Sequence, residues 1–228
     1  MALPVISRPN SPRSRRHVDR TLLVAWVALA CALLPQAAPA QIVISEIMAD
    51  PAGDWDGDGA VDYRDDEWVE VLNTGSVTVD LAAYWLQDES ASEPRLNLSG
   101  QLAPGDVAVF YGSDALAWQD ASGQGSGALS LNNGGDVVYL LKSPTAGGGD
   151  VLTIVDSVAY LDHEAEDDRS CGLSPDQIHW LLFDAYNPYD GDNEPVGTGC
   201  APSPGQPNPC DPLPVQQAPF GGVKALYR

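Results

Sequence analysis

Short runs in which apolar and polar residues alternate recur along this chain, each bounded by turn-forming residues. They read IVISEIM (42–48), EWVEVLN (67–73), VTVDL (77–81), YWLQD (84–88), LNLSG (96–100), DVAVFYG (106–112), GDVVYLL (135–141) and VLTIVDSVAY (151–160). In the first run Ile42, Ile44 and Glu46 fall on one face and Val43, Ser45 and Ile47 on the other. A period of two is the signature of strands with one covered face. Asn73-Thr74-Gly75, Pro104-Gly105, Asn132-Asn133-Gly134-Gly135 and Gly147-Gly148-Gly149 separate the runs, and all are turn chemistry. About eight strands without a clear amphipathic helix predict an all-β fold, an antiparallel β-sandwich. Residues 114–121, DALAWQDA, are expected to form one helical turn or a loop. Trp68, Tyr84, Trp85, Phe110, Tyr139 and Tyr160 are the predicted core aromatics, since large rings stabilise most when buried. An exposed aromatic platform for sugars is the lesser alternative, because no aromatics gather on one identifiable face.

After residue 161 the alternation dissolves. DHEAEDD (162–168) reads as a charged surface run, and residues 184–210, rich in Pro, Gly, Asp and Asn, as loops wrapped on the sandwich edge. The domain is therefore expected to span 41–210 with a loop-rich C-terminal segment. Residues 211–219 read as a linker. The closing FGGVKALYR (220–228) mixes apolar and basic residues, as either a final strand or a recognition tail.

The N-terminus changes the picture. Residues 1–20 carry Arg8, Arg13, Arg15, Arg16 and Arg20, residues 21–34 are almost wholly apolar, and Ala38 and Ala40 precede Gln41. A basic stretch, a short apolar stretch and an A-x-A site describe a secretory signal peptide, 1–40. An uncleaved anchor and a lipid-anchored start at Cys31 are the alternatives. The apolar run is short of the roughly 20 residues a membrane helix needs, so no membrane insertion is expected after cleavage. The expected location is secreted, periplasmic or cell-surface. Disulfides are permissible there. Of Cys171, Cys200 and Cys210 one must stay unpaired; spacing does not give the pairing, and Cys171–Cys200 is the expected staple.

Removing 1–40 takes five of 11 basic residues and one of 32 acidic ones, leaving 6 against 31 and a formal net charge near −25. Such a surface repels phosphate backbones, whose binding needs Lys and Arg. Nucleic acid is excluded as a partner on that ground, and divalent cations become the natural counterions.

The ordered signatures identify a family resemblance. Ile44-Ser45-Glu46-Ile47, then Glu67-Trp68-Val69-Glu70-Val71-Leu72-Asn73, then Val79-Asp80-Leu81 with Tyr84-Trp85-Leu86-Gln87-Asp88 resemble the opening of a lamin-tail domain. LAPGDVAVFYG (102–112), LSLNNGGDVVYLL (129–141), VLTIVDSVAY (151–160) and the late SPGQPN (203–208) are similar to its later signatures, in the same order. The resemblance implies an immunoglobulin-like sandwich of the bacterial exported type, acting in protein binding or as an accessory domain, and implies no reaction. Fold alone does not dictate function.

The chain departs from that pattern by inserting residues 50–66 between the first two signature strands. With Asp54 as position 1, carboxylates fall at 1, 3, 5, 9 and 12 (Asp54, Asp56, Asp58, Asp62, Asp65), glycine at 6 (Gly59), and the position-7 carbonyl belongs to Ala60. EF-hand calcium loops use this ladder, because a hard cation takes six to eight oxygens at about 2.3–2.6 Å. Position 12 is Asp where EF-hands carry Glu; dockerin-type and thrombospondin-type loops resemble this arrangement and tolerate Asp there. No flanking amphipathic helices complete an EF-hand. The expected cofactor is Ca²⁺, on a lone loop 54–65; a solvated acidic loop is the alternative. Asp190-Gly191-Asp192-Asn193-Glu194 is too short for the same ladder and reads as a turn with solvated charges.

No enzyme is expected. His163 and His179 are not spaced as a metal pair, His179 reads as half-buried beside Trp180, and no G-x-S-x-G or phosphate-cradling loop occurs. The cysteines lack C-x-x-C spacing, which excludes a structural zinc. No pair of carboxylates is singled out for glycoside hydrolysis. The expected partner is a protein or glycan at the cell surface. A structural envelope module in which calcium only stabilises is the alternative.

Overall fold

A computed structural model of the chain describes residues 42–146, 151–208 and 210. Among them are eleven strands and one α-helix: β1 Ile42–Met48, β2 Trp68–Asn73, β3 Val79–Asp80, β4 Tyr84–Asp88, β5 Leu96–Asn97, β6 Gln101–Leu102, β7 Val107–Tyr111, α1 Gly112–Ser122, β8 Gly135–Lys142, β9 Thr153–Leu161, β10 Ser170–Leu173 and β11 Trp180–Phe183. A five-stranded sheet runs β11-β10-β1-β2-β7, a four-stranded sheet runs β5-β4-β8-β9, and β3 pairs with β6. All the strand pairs are antiparallel. The fold is an all-β antiparallel sandwich, as the alternation predicts, and of the immunoglobulin-like kind that the resemblance implies.

The core lies between the two sheets. Ile42, Ile44, Ile47, Val69 and Val71 from one sheet meet Tyr84, Leu86, Val138, Leu140 and Tyr160 from the other, all buried. Trp68, Trp85 and Phe110 are buried as well. Tyr139 is the exception among the predicted core aromatics: it sits half-buried, one residue out of phase with Val138 and Leu140. That is the price of alternation, since successive side chains on a strand point to opposite faces.

Three expectations are corrected. Residues 112–122 form three turns of helix rather than one turn or a loop. Asp114 sits in the first turn, where its carboxylate accepts from the Tyr111 amide at 3.0 Å, and Gly123 closes the helix in the left-handed conformation. Second, the chain after 161 is not only loop. β10 pairs with β1 through Glu46↔Gly172, Ile47↔Cys171 and Met48↔Ser170, and β11 pairs with β10. The surface run 162–168 also turns inward, with His163, Glu164 and Ala165 buried, while His179 is exposed rather than half-buried.

Third, the disulfide joins Cys200 to Cys210, and Cys171 is a buried free thiol. The register explains why. Cys171 lies opposite Leu182 and faces the main core. Cys200 and Cys210 pack on Leu181 and Phe183, the other face of the same sheet. The sheet itself separates Cys171 from both partners. The 1–40 leader and the 211–228 linker and tail lie outside the described residues.

Two substitutions test this packing. Leu140→Ala empties a fully buried site and is expected to cost about 2–5 kcal/mol in urea unfolding, whereas Ile178→Ala, at an exposed turn, stays within about 0.5 kcal/mol. Peptide mapping without reductant should recover Cys200 linked to Cys210, with Cys171 alkylated only after unfolding. Recovery of a Cys171–Cys200 peptide would contradict the register.

Candidate functional site

The inserted acidic segment leaves β1 and returns to β2, and side-chain carboxylates write its path. Asp54 accepts from the amides of Gly57 (2.9 Å) and Gly59 (3.0 Å), Asp56 from Asp58 (3.0 Å), and Asp58 from Ala60 (2.7 Å). Asp62 accepts from Arg64 at 2.9 Å and Asp65 at 3.4 Å. Each short aspartate bonds the backbone a few residues on, which tightens the chain into successive turns. Gly59, at the predicted bend, has φ of +94°, a conformation that glycine adopts without steric cost.

The result gathers three of the predicted ligands. One carboxylate oxygen from each of Asp54, Asp56 and Asp58 lies within 4.8 Å of the others. Asp62 and Asp65 stand outside that group, with Asp62 exposed and Asp65 half-exposed. Asp65 still feels the cluster: partial burial raises its carboxyl above the usual range, and the charges of Asp62, Asp56, Asp58 and Asp66 push it further in the same direction. Ala60 sits in the same turn through its amide bond to Asp58. Asp190, Asp192 and Glu194 are exposed, consistent with a solvated turn.

The loop is clamped at both ends by residues outside the ladder. Asp66, fully buried, accepts from Trp55 (2.6 Å), Asp56 (3.0 Å) and Asp62 (2.8 Å), so one carboxylate ties the loop's entry to its exit. Asp168 accepts from Ala52 (2.8 Å), Gly53 (3.0 Å) and the Trp55 indole (2.7 Å). On the far side the first turn of α1 docks against the loop exit: Ser113 donates to Asp65 O at 3.0 Å, Gly112 to Glu67 O at 2.7 Å. Gly112 must be glycine, because a Cβ there would lie 1.7 Å from the Arg64 carbonyl oxygen. Neither Asp66 nor Asp168 is distinguishable by pattern from its acidic neighbours; only the folded chain shows which carboxylates receive amides.

Trp55 contributes a further feature. Its ring lies 6.1 Å from buried Trp68 and 6.2 Å from exposed Tyr186, so an aromatic pair borders the acidic loop, although the sequence gathers no aromatics on one face.

A second carboxylate site lies within the five-stranded sheet. Glu46 and Glu70 pair across β1 and β2 and are both fully buried. Glu70 accepts from Ser45 Oγ (2.7 Å) and from the Gly205 amide (2.8 Å). Glu46 accepts from Ser170 Oγ (2.6 Å), the Ser203 amide (3.1 Å) and Ser203 Oγ (3.1 Å). Asn208 then donates to Ser45 O and Leu173 O. The 203–208 segment is thus strapped across the sheet. Burial, only partly offset by these donors, raises both carboxyls to about 7. Glu67, buried beside Leu131 N, is raised to about 8 for the same reason.

Among known families, one model matches this chain: residues 35–162, more than half its length, fit the description Lamin Tail Domain. No curated protein matches it significantly.

The raised carboxyls dictate a pH response. A folded-state pKa above the unfolded value means that the folded chain holds more protons. The stability tied to Glu46, Glu67 and Glu70 is therefore fully present below about pH 4.5 and lost as pH rises through 7 to 8. Urea midpoints are expected to be higher at pH 5.5 than at pH 8.5, with a shallower difference in Glu70→Gln. A midpoint that climbs from pH 5.5 to 8.5 would contradict this account.

Proposed function

The chain belongs to the lamin-tail domain family, and from that premise we propose that it is an exported, non-catalytic β-sandwich module that binds calcium on its 54–65 loop and acts in interaction at the cell surface. The family is one of immunoglobulin-like structural domains, and no catalytic family is indicated. The observation that carries the calcium reading is the convergence of Asp54, Asp56 and Asp58 within 4.8 Å. Three like charges at that spacing repel unless a cation is present. Asp62, Asp65 and the Ala60 carbonyl follow in the sequence order that a calcium loop uses, but Asp62 and Asp65 stand outside the cluster and would have to turn toward it to serve as ligands.

Pre-organisation supports the same reading. The ladder, Asp66 and Asp168 already hold the loop's backbone, so binding orders little additional chain. Magnesium, which retains its waters and demands octahedral geometry, suits such an all-protein loop less well. Export is supported by the leader's composition and by the Cys200–Cys210 bond, which belongs to oxidising compartments. No helix among the described residues is long and apolar enough to cross a membrane.

The surface partner is a protein or glycan. The exposed Tyr186 beside Trp55 supplies the amphipathic aromatic surface that recognition favours. A second reading, in which calcium serves only as a structural staple, is favoured by the docking of the loop exit on α1. Binding to cell-wall glycans that Tyr186→Ala abolishes without lowering the melting temperature separates the two.

Calcium titration with thermal melting tests the site. With a dissociation constant near 10⁻⁴ M, typical of extracellular modules, about 10 mM calcium is expected to raise Tm by about 5–10 °C. Asp56→Asn with Asp58→Asn abolishes that rise. A Tm indifferent to calcium would remove the ion from the account.

A further inference from the structure

The loop from β4 to β5 and the end of α1 border an open pocket of about 420 Å³. That volume lies within the roughly 300–1,000 Å³ of small-molecule sites. The wall is unusually polar. Ser90, Ser92, Glu93, Arg95, Gln119 and Gln124 line it, and only Ala91 and Pro94 are apolar. The pocket stands apart from the acidic loop, which docks on the first turn of α1, whereas Gln119 and Gln124 lie at the other end of that helix.

Arg95 is held in this wall from several directions. Its amide donates to Leu86 O at 2.7 Å, its carbonyl accepts from Gln119 Nε2 at 2.8 Å, and its Nε donates to Asp88 at 2.8 Å. Asp88, whose side chain is wholly buried, also accepts from Ser90 Oγ. With Nε engaged, the fork of Nη1 and Nη2 donors remains to serve the pocket that Arg95 lines. Buried Gln119 grips a second segment: its carboxamide accepts from Ala128 N at 3.1 Å and donates to Ala128 O at 2.9 Å. Ala128 and Ser130 have φ of +54° and +63°, a conformation that residues other than glycine keep only where their surroundings over-determine it. Gly127 lies so near that a Cβ there would come within 2.8 Å of Arg95 Nη1. The guanidinium is therefore fixed before any ligand arrives, which lowers the ordering cost of binding.

The charges around the fork decide what it holds. Asp88 already neutralises Arg95, and exposed Glu93 adds a negative charge at the rim. The carbonyl end of α1 adds partial negative charge of its own. A net negative pocket on a chain of net charge −21 disfavours phosphate and carboxylate ligands. Its polar walls disfavour apolar ligands, which leave buried donors unpaired. A neutral polyhydroxyl compound suits both conditions. Each hydroxyl accepts and donates, so neighbouring hydroxyls can accept from the Arg95 fork while donating to the Glu93 carboxylate and the Gln124 carbonyl.

We propose that this pocket binds a sugar residue of a neutral glycan, with Arg95 as its principal donor and Glu93 as its principal acceptor. Asp88, Gln119 and Gly127 are positioning residues that act through Arg95. The inference rests on the surface-interaction reading for the choice of a glycan as partner, but its site uses neither the calcium loop nor Tyr186.

Chemical-shift titration of the isotope-labelled full chain tests it, with glucose, galactose, mannose and N-acetylglucosamine as neutral probes and glucuronate and inorganic phosphate as anionic ones. At least one neutral sugar is expected to shift the Arg95 Nε and Gln119 side-chain signals, and to bind ahead of both anions. Gly127→Ala displaces the flexible end of Arg95, and Arg95→Lys keeps the charge but removes the fork. Each is expected to weaken that binding about tenfold or more, with the melting temperature of Gly127→Ala unchanged. Tyr186→Ala and Asp56→Asn/Asp58→Asn are expected to leave it intact, so loss of the pocket and loss of the calcium reading are told apart. The proposal is overturned if no neutral sugar binds at about 50 mM, or if affinity survives in both Arg95-directed variants. Tighter binding of phosphate or glucuronate, or a loss of sugar binding in Tyr186→Ala, overturns it equally.

Discussion

Two carboxylates facing each other across the first two strands hold the ends of the domain together. Glu46 and Glu70 are completely buried, and a buried carboxylate is costly unless hydrogen-bond donors surround it. Those donors come from far along the chain: Ser203 is 157 residues from Glu46, and Gly205 is 135 from Glu70. The dependence is mutual. Residues 203–208 have no sheet partner of their own, so the carboxylates satisfy their amides while the strap satisfies the carboxylates. The family match ends at residue 162, yet the folded unit does not end there. β10 and β11 extend β1's sheet, and Asp184 gathers the loops that follow by accepting from Tyr189, Thr198 and Gly199.

The acidic loop follows the same logic at the surface. Its shape comes from carboxylates answering backbone amides rather than from packing. That divides labour among residues of one type. Asp66 and Asp168 are structural, each receiving three donors, whereas one oxygen from each of Asp54, Asp56 and Asp58 converges in solvent. A loop held by its own side chains keeps those oxygens gathered in the folded chain.

The strands were legible because their chemistry is local. Alternation places β1, β2, β4, β7, β8 and β9 within a residue or two, and the ladder spacing alone marks Asp54, Asp56 and Asp58. What escaped was long-range. Ser-Cys-Gly-Leu carries no alternating pattern, and becomes a strand because β1 offers an open edge beside it. Helix α1 is too weakly amphipathic to announce itself, and is held instead by its docking on the loop exit. The cysteine pairing is not legible in the spacing, because loop length says nothing of which face of a sheet a side chain meets. Asp66 carries no signal of its own in the sequence, since it differs from Asp65 only in where the folded chain points it.

The separation of the thiols has a consequence for how this chain survives oxidation. Disulfide interchange needs a thiolate able to approach a sulfur of the existing bond in line. Here the third sulfur sits across a sheet from that bond, in a surrounding that drives its proton affinity well up. Among the described residues the native ring therefore has no internal attacker. Scrambling is reserved for chains that have lost the sheet, so the odd cysteine that looks like a hazard in the sequence is quarantined by the strand that carries it.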